Sequence, residues 1–214
     1  MKKLYILLTK FLINPIVKGH IHSIQGLENI PLKGGFIVAS NHNNSFDHYL
    51  ILFLLGERMK DARFIGAKDE LKTQLTTPLL YYLTDTIVVK RNNENSKKEM
   101  MQRAIDHLQK GNIIVIYPEG NFSLRSRLLR AKTGIANMVF KSGMPVLPVG
   151  VKGLPENPKK RIVKIGKPIF FEEEIARTKD MDSSSQEYYS FRRGVTDRIM
   201  GEISLLCDKP YPKE

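Results

Sequence analysis

The fold is set by residues 35–47, which run GFIVASNHNNSFD. The first part, Gly35 to Ala39, is a short apolar and partly β-branched run after Gly34. This pattern is typical of a buried strand that ends near Ser40. The residues from His48 to Met59 are typical of a helix. The stretch therefore predicts a strand, a tight loop and a helix in succession.

The loop carries an imidazole and a carboxylate, His42 and Asp47. On one continuous helix these side chains would point away from each other, because helical neighbours are three or four residues apart. In a strand, loop and helix, Asp47 lies in the first helical turn, where backbone N–H groups favour the ionised carboxylate. Such a carboxylate keeps one ring nitrogen protonated and leaves the other free as a base. Alternatively, Asp47 only caps the helix and His42 is a structural histidine.

Further apolar, β-branched runs along the chain predict more strands, with helical patterns between them. The strands are predicted within His20 to Ile30 and at Phe64 to Ala67, Thr86 to Val89, Ile113 to Tyr117, Val146 to Val151 and Arg161 to Ile165. This alternation predicts an α/β fold with a mixed, largely parallel sheet flanked by helices. His42, Arg91 and Glu119 each follow a strand, so we expect them to converge at one edge of the sheet.

The segments between these strands give sharper local expectations. Helices are predicted at Lys68 to Tyr82, from Ser96 to about Lys110, from Thr133 to Lys141 and from Gln186 to Leu206. Ser96 and Glu99 have the spacing of a capping box. Pro148 lies inside a predicted strand, which argues for an edge position or a bulge. The polar stretch from Glu172 to Ser185 is predicted to be a loop.

The composition bounds the domain count and the class of partner. A chain of 214 residues with 42% hydrophobic residues fits one domain with a complete core. The 34 Lys and Arg outnumber the 22 Asp and Glu, and the net charge of +12 predicts a polyanionic partner: nucleic acid, anionic lipid or an acidic carrier protein. The single cysteine, Cys207, excludes an intrachain disulfide framework and fits a reducing compartment. No Cys/His spacing suggests zinc.

The N-terminal segment, residues 1–18, is predicted to be an amphipathic helix. Its apolar run from Leu4 to Val17 is interrupted by Lys10 and Asn14, so it is short for a membrane span of roughly 20 apolar residues. Its polar residues recur on one helical face, opposite a wide apolar face. Such a helix can lie in a membrane interface with its lysines toward anionic headgroups. The alternative is a helix docked on its own domain.

Several segments together resemble the glycerolipid acyltransferases, specifically the bacterial lysophosphatidic acid acyltransferases of phospholipid synthesis. The family motifs are Asn-His with an Asp five residues after the His, an apolar strand ending in Arg, Phe-Pro-Glu-Gly-Thr-Arg-Ser, and a Val-Pro-Val strand. They are matched in the same order by Asn41 to Asp47, Ile87 to Arg91, Tyr117 to Ser123 and Val146 to Val149, with further likeness at Lys132 to Gly134 and Gly166 to Pro168. The ordered combination is far more specific than any one motif.

The resemblance implies one acyltransferase domain over residues 1–214, with a catalytic core at 35–170 and a closing helix at 186–206. It implies transfer of an acyl group to the hydroxyl of a lysophospholipid, most simply lysophosphatidate giving phosphatidate. The donor would be a thioester of acyl-carrier protein or coenzyme A, with no cofactor and no metal. The expected location is the cytoplasmic face of the cell membrane, as a peripheral or monotopic protein on an anionic surface.

The resemblance also implies roles for individual residues. His42 is the general base for the lipid hydroxyl, and Asp47 orients it. No acyl-enzyme is implied, and the Gly-x-Ser-x-Gly elbow of serine hydrolases is absent from the sequence. The implied substrate-binding residues are Asn41, Arg91, Glu119, Gly120, Asn121, Arg125, Arg127, Lys132 and Pro148.

One departure from the family concerns the acceptor. The Thr-Arg of the third motif is replaced by Asn121-Phe122, so the arginine that the family uses for the acceptor phosphate is missing. Two hypotheses remain open. Either Arg125 or Arg127, together with Arg91, binds the phosphate, or the acceptor carries no such phosphate or a different headgroup.

Two other classes of function are weaker. A basic nucleic-acid-binding module would carry basic residues interleaved with exposed aromatics or a binding motif, and the sequence has neither, nor any Trp. No nucleic acid is therefore expected as a partner. A catalytically inactive lipid-binding relative is disfavoured because both His42 and Asp47 are present.

Overall fold

A computed structural model of the chain describes residues 7, 9–67, 85–123, 126–153, 156–157 and 159–212. The strands are β1 Ile21–Gln25, β2 Phe36–Ser40, β3 Ala62–Ala67, β4 Ile87–Val89, β5 Ile113–Ile116, β6 Val146–Gly153 and β7 Arg161–Ile165. The α-helices are α1 Asn14–His20, α2 Phe46–Leu55, α3 Glu94–Gln109, α4 Gly134–Ser142, α5 Glu172–Thr178 and α6 Gln186–Cys207. The helix predicted at Lys68 to Tyr82 lies outside the described residues.

The strands form one seven-stranded sheet in the order β1-β7-β6-β2-β5-β3-β4. Strand β2 lies in the middle, parallel to both β5 and β6, and β3 continues the parallel pairing to β4. Within the described sheet, only β6 and β7 run antiparallel. The predicted α/β fold with a mixed, largely parallel sheet is therefore confirmed. Its parallel strands bring the loops after β2, β4 and β5 to one edge.

Helices cover both faces of the sheet, which explains why all five residues of β2 are buried. On one face, Phe36 and Val38 pack in a core cluster with side chains of α1 and α2. On the other face, Ile37 and Ala39 pack with side chains of α3, α4 and α6. The alternation follows from the period of two along a strand. The apolar run Phe36–Ser40 is thus the centre of the whole core.

The prediction that Pro148 marks an edge is wrong, whereas the predicted bulge agrees with the structure. Between the pairs Val149–Ile165 and Val146–Ile169 the partner strand carries one extra residue. Pro148 lies in β6, which is paired on both sides, and it faces Ala39 in the register with β2. Its carbonyl accepts a hydrogen bond from the Gly166 N–H at 2.9 Å, so its nitrogen also faces the β7 side. There the ladder is interrupted, because β7 ends at Ile165 and pairing resumes only at Ile169. The missing N–H therefore costs no hydrogen bond.

Two local predictions also need correction. Helix α3 begins before Ser96, because the Asn93 side chain caps it by accepting the Ser96 N–H at 2.8 Å. The predicted capping box of Ser96 and Glu99 is therefore wrong. The stretch predicted as a loop contains helix α5, whose first turn carries three glutamates that favour a helix N-terminus. Ile175 of α5 packs against the core, which stabilises the short helix.

The N-terminal segment is helical over much of its described part. Thr9–Ile13 form a π-helical turn, and α1 follows with a proline in its first turn. Val17 is fully buried in the core, whereas Phe11, Leu12 and Ile16 are 72%, 62% and 58% exposed. The segment is therefore attached to the domain on one side and apolar on its open side. No described helix is both long enough and apolar enough to cross a bilayer.

Candidate active site

The loop after β2 brings His42 and Asp47 into contact. Asp47 stands in the first turn of α2 and is fully buried, and its Oδ2 lies 3.1 Å from His42 Nδ1. The same oxygen accepts the N–H groups of Asn43 at 2.6 Å and Asn44 at 3.0 Å. A carboxylate bonded in this way only accepts, so Nδ1 carries the ring proton and Nε2 keeps its lone pair. An imidazole held in this way can act as a base through Nε2, with the carboxylate fixing its orientation.

Aromatic side chains fix the plane of the His42 ring. Tyr117 stacks on it with 3.8 Å between ring centroids and an angle of 9°, and Phe122 packs against it at 4.3 Å. His48 approaches edge-on at 5.3 Å. Stacking and the Asp47 hydrogen bond together restrain ring rotation, so the free Nε2 has a defined direction. His42 is only 6% exposed, which limits the water around the pair.

Glu119 ties two loops together beneath this pair. One carboxylate oxygen accepts the His42 N–H at 3.1 Å, and the other accepts the Leu129 N–H at 2.7 Å. Burial raises the pKa of Glu119, while these N–H groups oppose the rise. Both oxygens accept backbone N–H groups, so Glu119 positions the loops rather than transferring a proton.

The turn at Gly120 is crowded by two cations. Gly120 has a φ of 71°, a conformation that favours glycine, and a Cβ there would meet Lys132 Cε at 3.1 Å. The Arg91 guanidinium donates to the Gly120 carbonyl at 2.8 Å. The backbone N–H of Lys132 bonds the Pro118 carbonyl at 2.9 Å. His42, Arg91 and Glu119 do converge at one edge of the sheet, as the sequence predicted.

Asn41 links the ends of two neighbouring strands. Its side-chain oxygen accepts the Val151 N–H at 2.8 Å, and its amide nitrogen donates to the Val151 carbonyl at 2.9 Å. This pair of bonds joins the end of β2 to β6, the strand that contains Pro148. Asn41 and Pro148 are thus both parts of the frame beside His42. Binding of substrate by either residue stays a prediction.

The loop after Gly120 carries the remaining predicted residues. Asn121 and Arg127 are exposed, and the Ser123 hydroxyl donates to the Arg127 carbonyl at 2.8 Å. The Ser123 N–H donates to the His42 carbonyl at 2.7 Å, which holds this loop against the histidine. Arg125 lies outside the described residues. Arg127 is therefore placed on the surface of a loop that touches the site.

Two residues near the pair were not singled out from the sequence. His48 is adjacent to Asp47, and its Nδ1 lies 3.2 Å from the Ser45 carbonyl oxygen. Burial first, and then the nearby His42, lowers the pKa of His48 to about 4. Lys209 reaches the site from the C-terminal part of the chain, where its Nζ donates to Asn43 Oδ1 at 2.8 Å. No sequence spacing could indicate that contact.

Comparison with known proteins adds independent information. The model of the Acyltransferase family matches residues 22–152. The chloroplastic 1-acyl-sn-glycerol-3-phosphate acyltransferase BAT2 of Brassica napus is 30% identical over 134 residues, which are 61% of this chain and 37% of that protein. The probable 1-acyl-sn-glycerol-3-phosphate acyltransferase of Mycoplasma pneumoniae is 28% identical over 168 residues, 76% of this chain and 60% of that protein. The chain thus spans less than two thirds of these relatives.

A solved structure supports the fold. The 1-acyl-sn-glycerophosphate (LPA) acyltransferase PlsC from Thermotoga maritima superimposes with a TM-score of 0.60 at 23% identity. The match covers 94% of this chain and 86% of that one. At this identity the likeness concerns the fold, whereas the family model covers more than half of the sequence, including the His42 and Asp47 loop. The chain belongs to the Acyltransferase family.

Proposed function

We propose that the protein moves a fatty acyl group from an acyl thioester to the free hydroxyl of a lysophospholipid, with lysophosphatidate as acceptor and phosphatidate as product. The observation that carries this proposal is the 3.1 Å contact of His42 Nδ1 with buried Asp47, in a chain of the Acyltransferase family. The relatives are named as 1-acyl-sn-glycerol-3-phosphate acyltransferases, which supports the same acceptor.

The mechanism follows from the direction of the His42 ring. Nε2 takes the proton of the lipid hydroxyl as its oxygen attacks the thioester carbonyl carbon. The C–S bond of the resulting tetrahedral intermediate then breaks, and the leaving thiolate takes the proton back from the imidazolium. Asp47 stabilises the imidazolium while it exists. The lipid hydroxyl is the nucleophile, so no covalent acyl-enzyme is required.

The acceptor phosphate needs cations, and the active-site edge offers several. Arg91 and Lys132 meet at the Gly120 turn, and Arg127 lies on the following loop. Phe122, in contrast, packs on His42 where the resembling family has its arginine. We propose phosphate binding by the cations of this edge. The competing hypothesis, supported by Phe122, is an acceptor without a phosphate.

We also propose that the protein lies on the cytoplasmic face of the cell membrane. The exposed side chains of Phe11, Leu12 and Ile16 form an apolar surface on the N-terminal segment, and the chain carries a net charge of +12. This combination favours binding to an anionic bilayer as a peripheral or monotopic protein. The donor would be an acyl-carrier protein or coenzyme A thioester.

The test is an acyl-transfer assay with purified protein. Lysophosphatidate, a lysophospholipid with another headgroup and uncharged monoacylglycerol are compared as acceptors, each with acyl-coenzyme A and with acyl-carrier protein. We expect lysophosphatidate to be preferred, and we expect His42→Ala to lower turnover by about 100-fold to 10,000-fold while the fold is retained. Asp47→Ala should lower turnover by a similar factor and should also lower thermal stability, because it removes two backbone hydrogen bonds of the loop. A folded His42→Ala protein with near-normal turnover would contradict the mechanism. Preference for monoacylglycerol would contradict the acceptor.

A further inference from the structure

The chain after α6 turns back toward the active site. Asp208, directly after the helix, has a φ of 54°, a left-handed conformation that aspartate adopts more readily than most residues. The turn is closed by two hydrogen bonds: the Lys209 N–H donates to the Ser204 carbonyl at 3.2 Å, and the Ser204 hydroxyl donates to the Lys209 carbonyl at 2.6 Å. We refer to residues 208–211 as the C-terminal strap.

The C-terminal strap is fixed to the loop that follows Gly120. The Leu128 N–H donates to the Pro210 carbonyl at 3.0 Å. The Tyr211 hydroxyl accepts the Ala131 N–H at 3.3 Å and donates to Asp197 of α6 at 2.8 Å. Asp208 forms an ion pair of 2.6 Å with Lys152 at the end of β6. Contacts on both sides therefore define the position of Lys209.

Lys209 is held beside the catalytic pair. Its Nζ donates to Asn43 Oδ1 at 2.8 Å, and the Asn43 N–H in turn bonds Asp47 Oδ2, the same oxygen that holds His42. The charge of Lys209 also acts on the Glu119 carboxylate beneath the loop. The Lys209 ammonium is thus bonded to Asn43, the residue next to the proposed base His42 in the sequence.

The hydrogen bonding of Lys209 leaves its charge available. An ammonium has three donors, and Asn43 Oδ1 is a neutral acceptor that uses one of them. Among the described residues, no carboxylate forms an ion pair with Lys209. A half-buried cation with spare donors is well suited to a phosphate. The loop beside it has Phe122 in place of the expected arginine.

We propose that Lys209 binds the phosphate group of the lysolipid acceptor. The proposal rests on the proposed function, and it adds a residue that lies outside the segment 22–152 matched by the family model. Lys209 would supply part of the positive charge that Phe122 does not. Since the phosphate takes no part in acyl transfer, Lys209 acts on acceptor affinity and on the choice of acceptor, not on the chemical step.

The experiment compares Lys209→Met, Lys209→Arg and the wild-type protein. Lys33→Met is the matched control, because Lys33 is exposed in the turn before β2, at the opposite edge of the sheet. With lysophosphatidate, we expect Lys209→Met to raise KM by about 10-fold or more with little change in kcat, as for loss of a charge-assisted hydrogen bond. With monoacylglycerol, the change in KM should be much smaller than with lysophosphatidate, because only the charged acceptor loses a partner. Lys209→Arg should stay close to wild type, and so should Lys33→Met.

A second arm measures binding without turnover. Glycerol 3-phosphate is titrated into each protein by calorimetry, and weaker binding to Lys209→Met than to wild type supports the proposal. Equal binding to both proteins, or no binding to wild type, overturns it. An equal loss of activity with charged and uncharged acceptors, or a higher KM for the thioester donor instead, also overturns it. Failure of the proposed function appears differently, as wild-type protein that acylates no lysolipid, and the calorimetric arm still tests Lys209 in that case.

Discussion

Asp47 shows how one carboxylate can bind both the backbone and the side chain of the proposed base, His42. Its Oδ2 holds His42 Nδ1 and the N–H groups of two loop residues at once. The Asp47 carboxylate therefore holds the loop of Asn43 and Asn44 in its conformation. The same carboxylate orients the His42 ring. A substitution at Asp47 removes both supports. For this reason, the assay of an Asp47 variant must be read together with its thermal unfolding.

His48 should make the stability of the protein depend on pH. Its pKa is lowered to about 4 in the native protein from the usual histidine value of 6.5. Between these values the unfolded chain binds a proton that the native protein does not, so the free energy of unfolding falls as the pH drops from 6.5 toward 4. This one group should cost about 2 kcal/mol of stability between pH 7.5 and pH 5.

Urea unfolding of His48→Gln at both pH values tests this prediction. The glutamine amide can still donate to the Ser45 carbonyl, as the His48 ring nitrogen is placed to do. The variant should therefore lose about 2 kcal/mol less stability than wild type on acidification. His22→Gln is the matched control, because His22 is exposed on β1 and its loss should leave the pH dependence unchanged. A parallel loss of stability in wild type and His48→Gln would contradict the assignment.

At the scale of elements, the contact between β6 and α6 places the C-terminal strap. Gly150 of β6 lies so close to the end of α6 that a Cβ would meet the Cys207 backbone nitrogen at 2.5 Å. Because α6 ends against β6, Lys209, which follows the helix, can reach Asn43 in the loop after β2. Because Gly150 has no side chain, the end of α6 can lie against β6, and this contact helps to position the C-terminal strap.

Substitution of Gly150 by alanine should push α6 away from the sheet. Such overpacking against a backbone atom should lower the free energy of unfolding by about 1 to 3 kcal/mol. The shift should also weaken lysophosphatidate binding through Lys209. Gly194→Ala is the matched control, since nothing lies within 4 Å of the added Cβ in the exposed middle of α6. It should stabilise the protein by about 0.5 to 1 kcal/mol, and chemical unfolding with a KM measurement checks both variants.

The buried strands of the catalytic core were predictable because each is a continuous apolar run with a polar boundary. The run from Phe36 to Ser40 and the run from Ile113 to Ile116 both stand within one residue of the prediction. The central position of Pro148 was not predictable in this way. It depends on where the neighbouring strand ends, which is a property of the pairing and not of the residues around Pro148.

At the scale of the whole molecule, sequence order limits what can be predicted of the site. Motif spacing indicated His42, Asp47, Arg91 and Glu119, because each follows a strand and parallel strands share an edge. Lys209 follows a long helix instead, 166 residues from the asparagine that it contacts. Only the packing of α6 across the sheet brings the two together. The family resemblance ended before this segment, so it gave no indication either.

The N-terminal surface gives a prediction for the whole molecule. Replacement of Phe11, Leu12 and Ile16 by serine should weaken binding to anionic vesicles by about 10-fold or more, because exposed apolar area drives insertion into the interface. Vesicle sedimentation at several salt concentrations measures this. Leu205→Ser is the control, since Leu205 is 75% exposed on α6, which packs on the opposite face of the sheet. Unchanged vesicle binding by the triple variant would contradict membrane docking through this segment.

The parallel pairing of β1 with β7 has a consequence for the order in which the protein is made. Ile21 pairs with Arg161, and β1 has no other neighbour among the described strands. During synthesis on the ribosome, β1 therefore cannot join the sheet until most of the chain has emerged. Such a pairing between distant segments is slow to form. The apolar segment that precedes β1 therefore leaves the ribosome well before the strand that pairs with β1 exists.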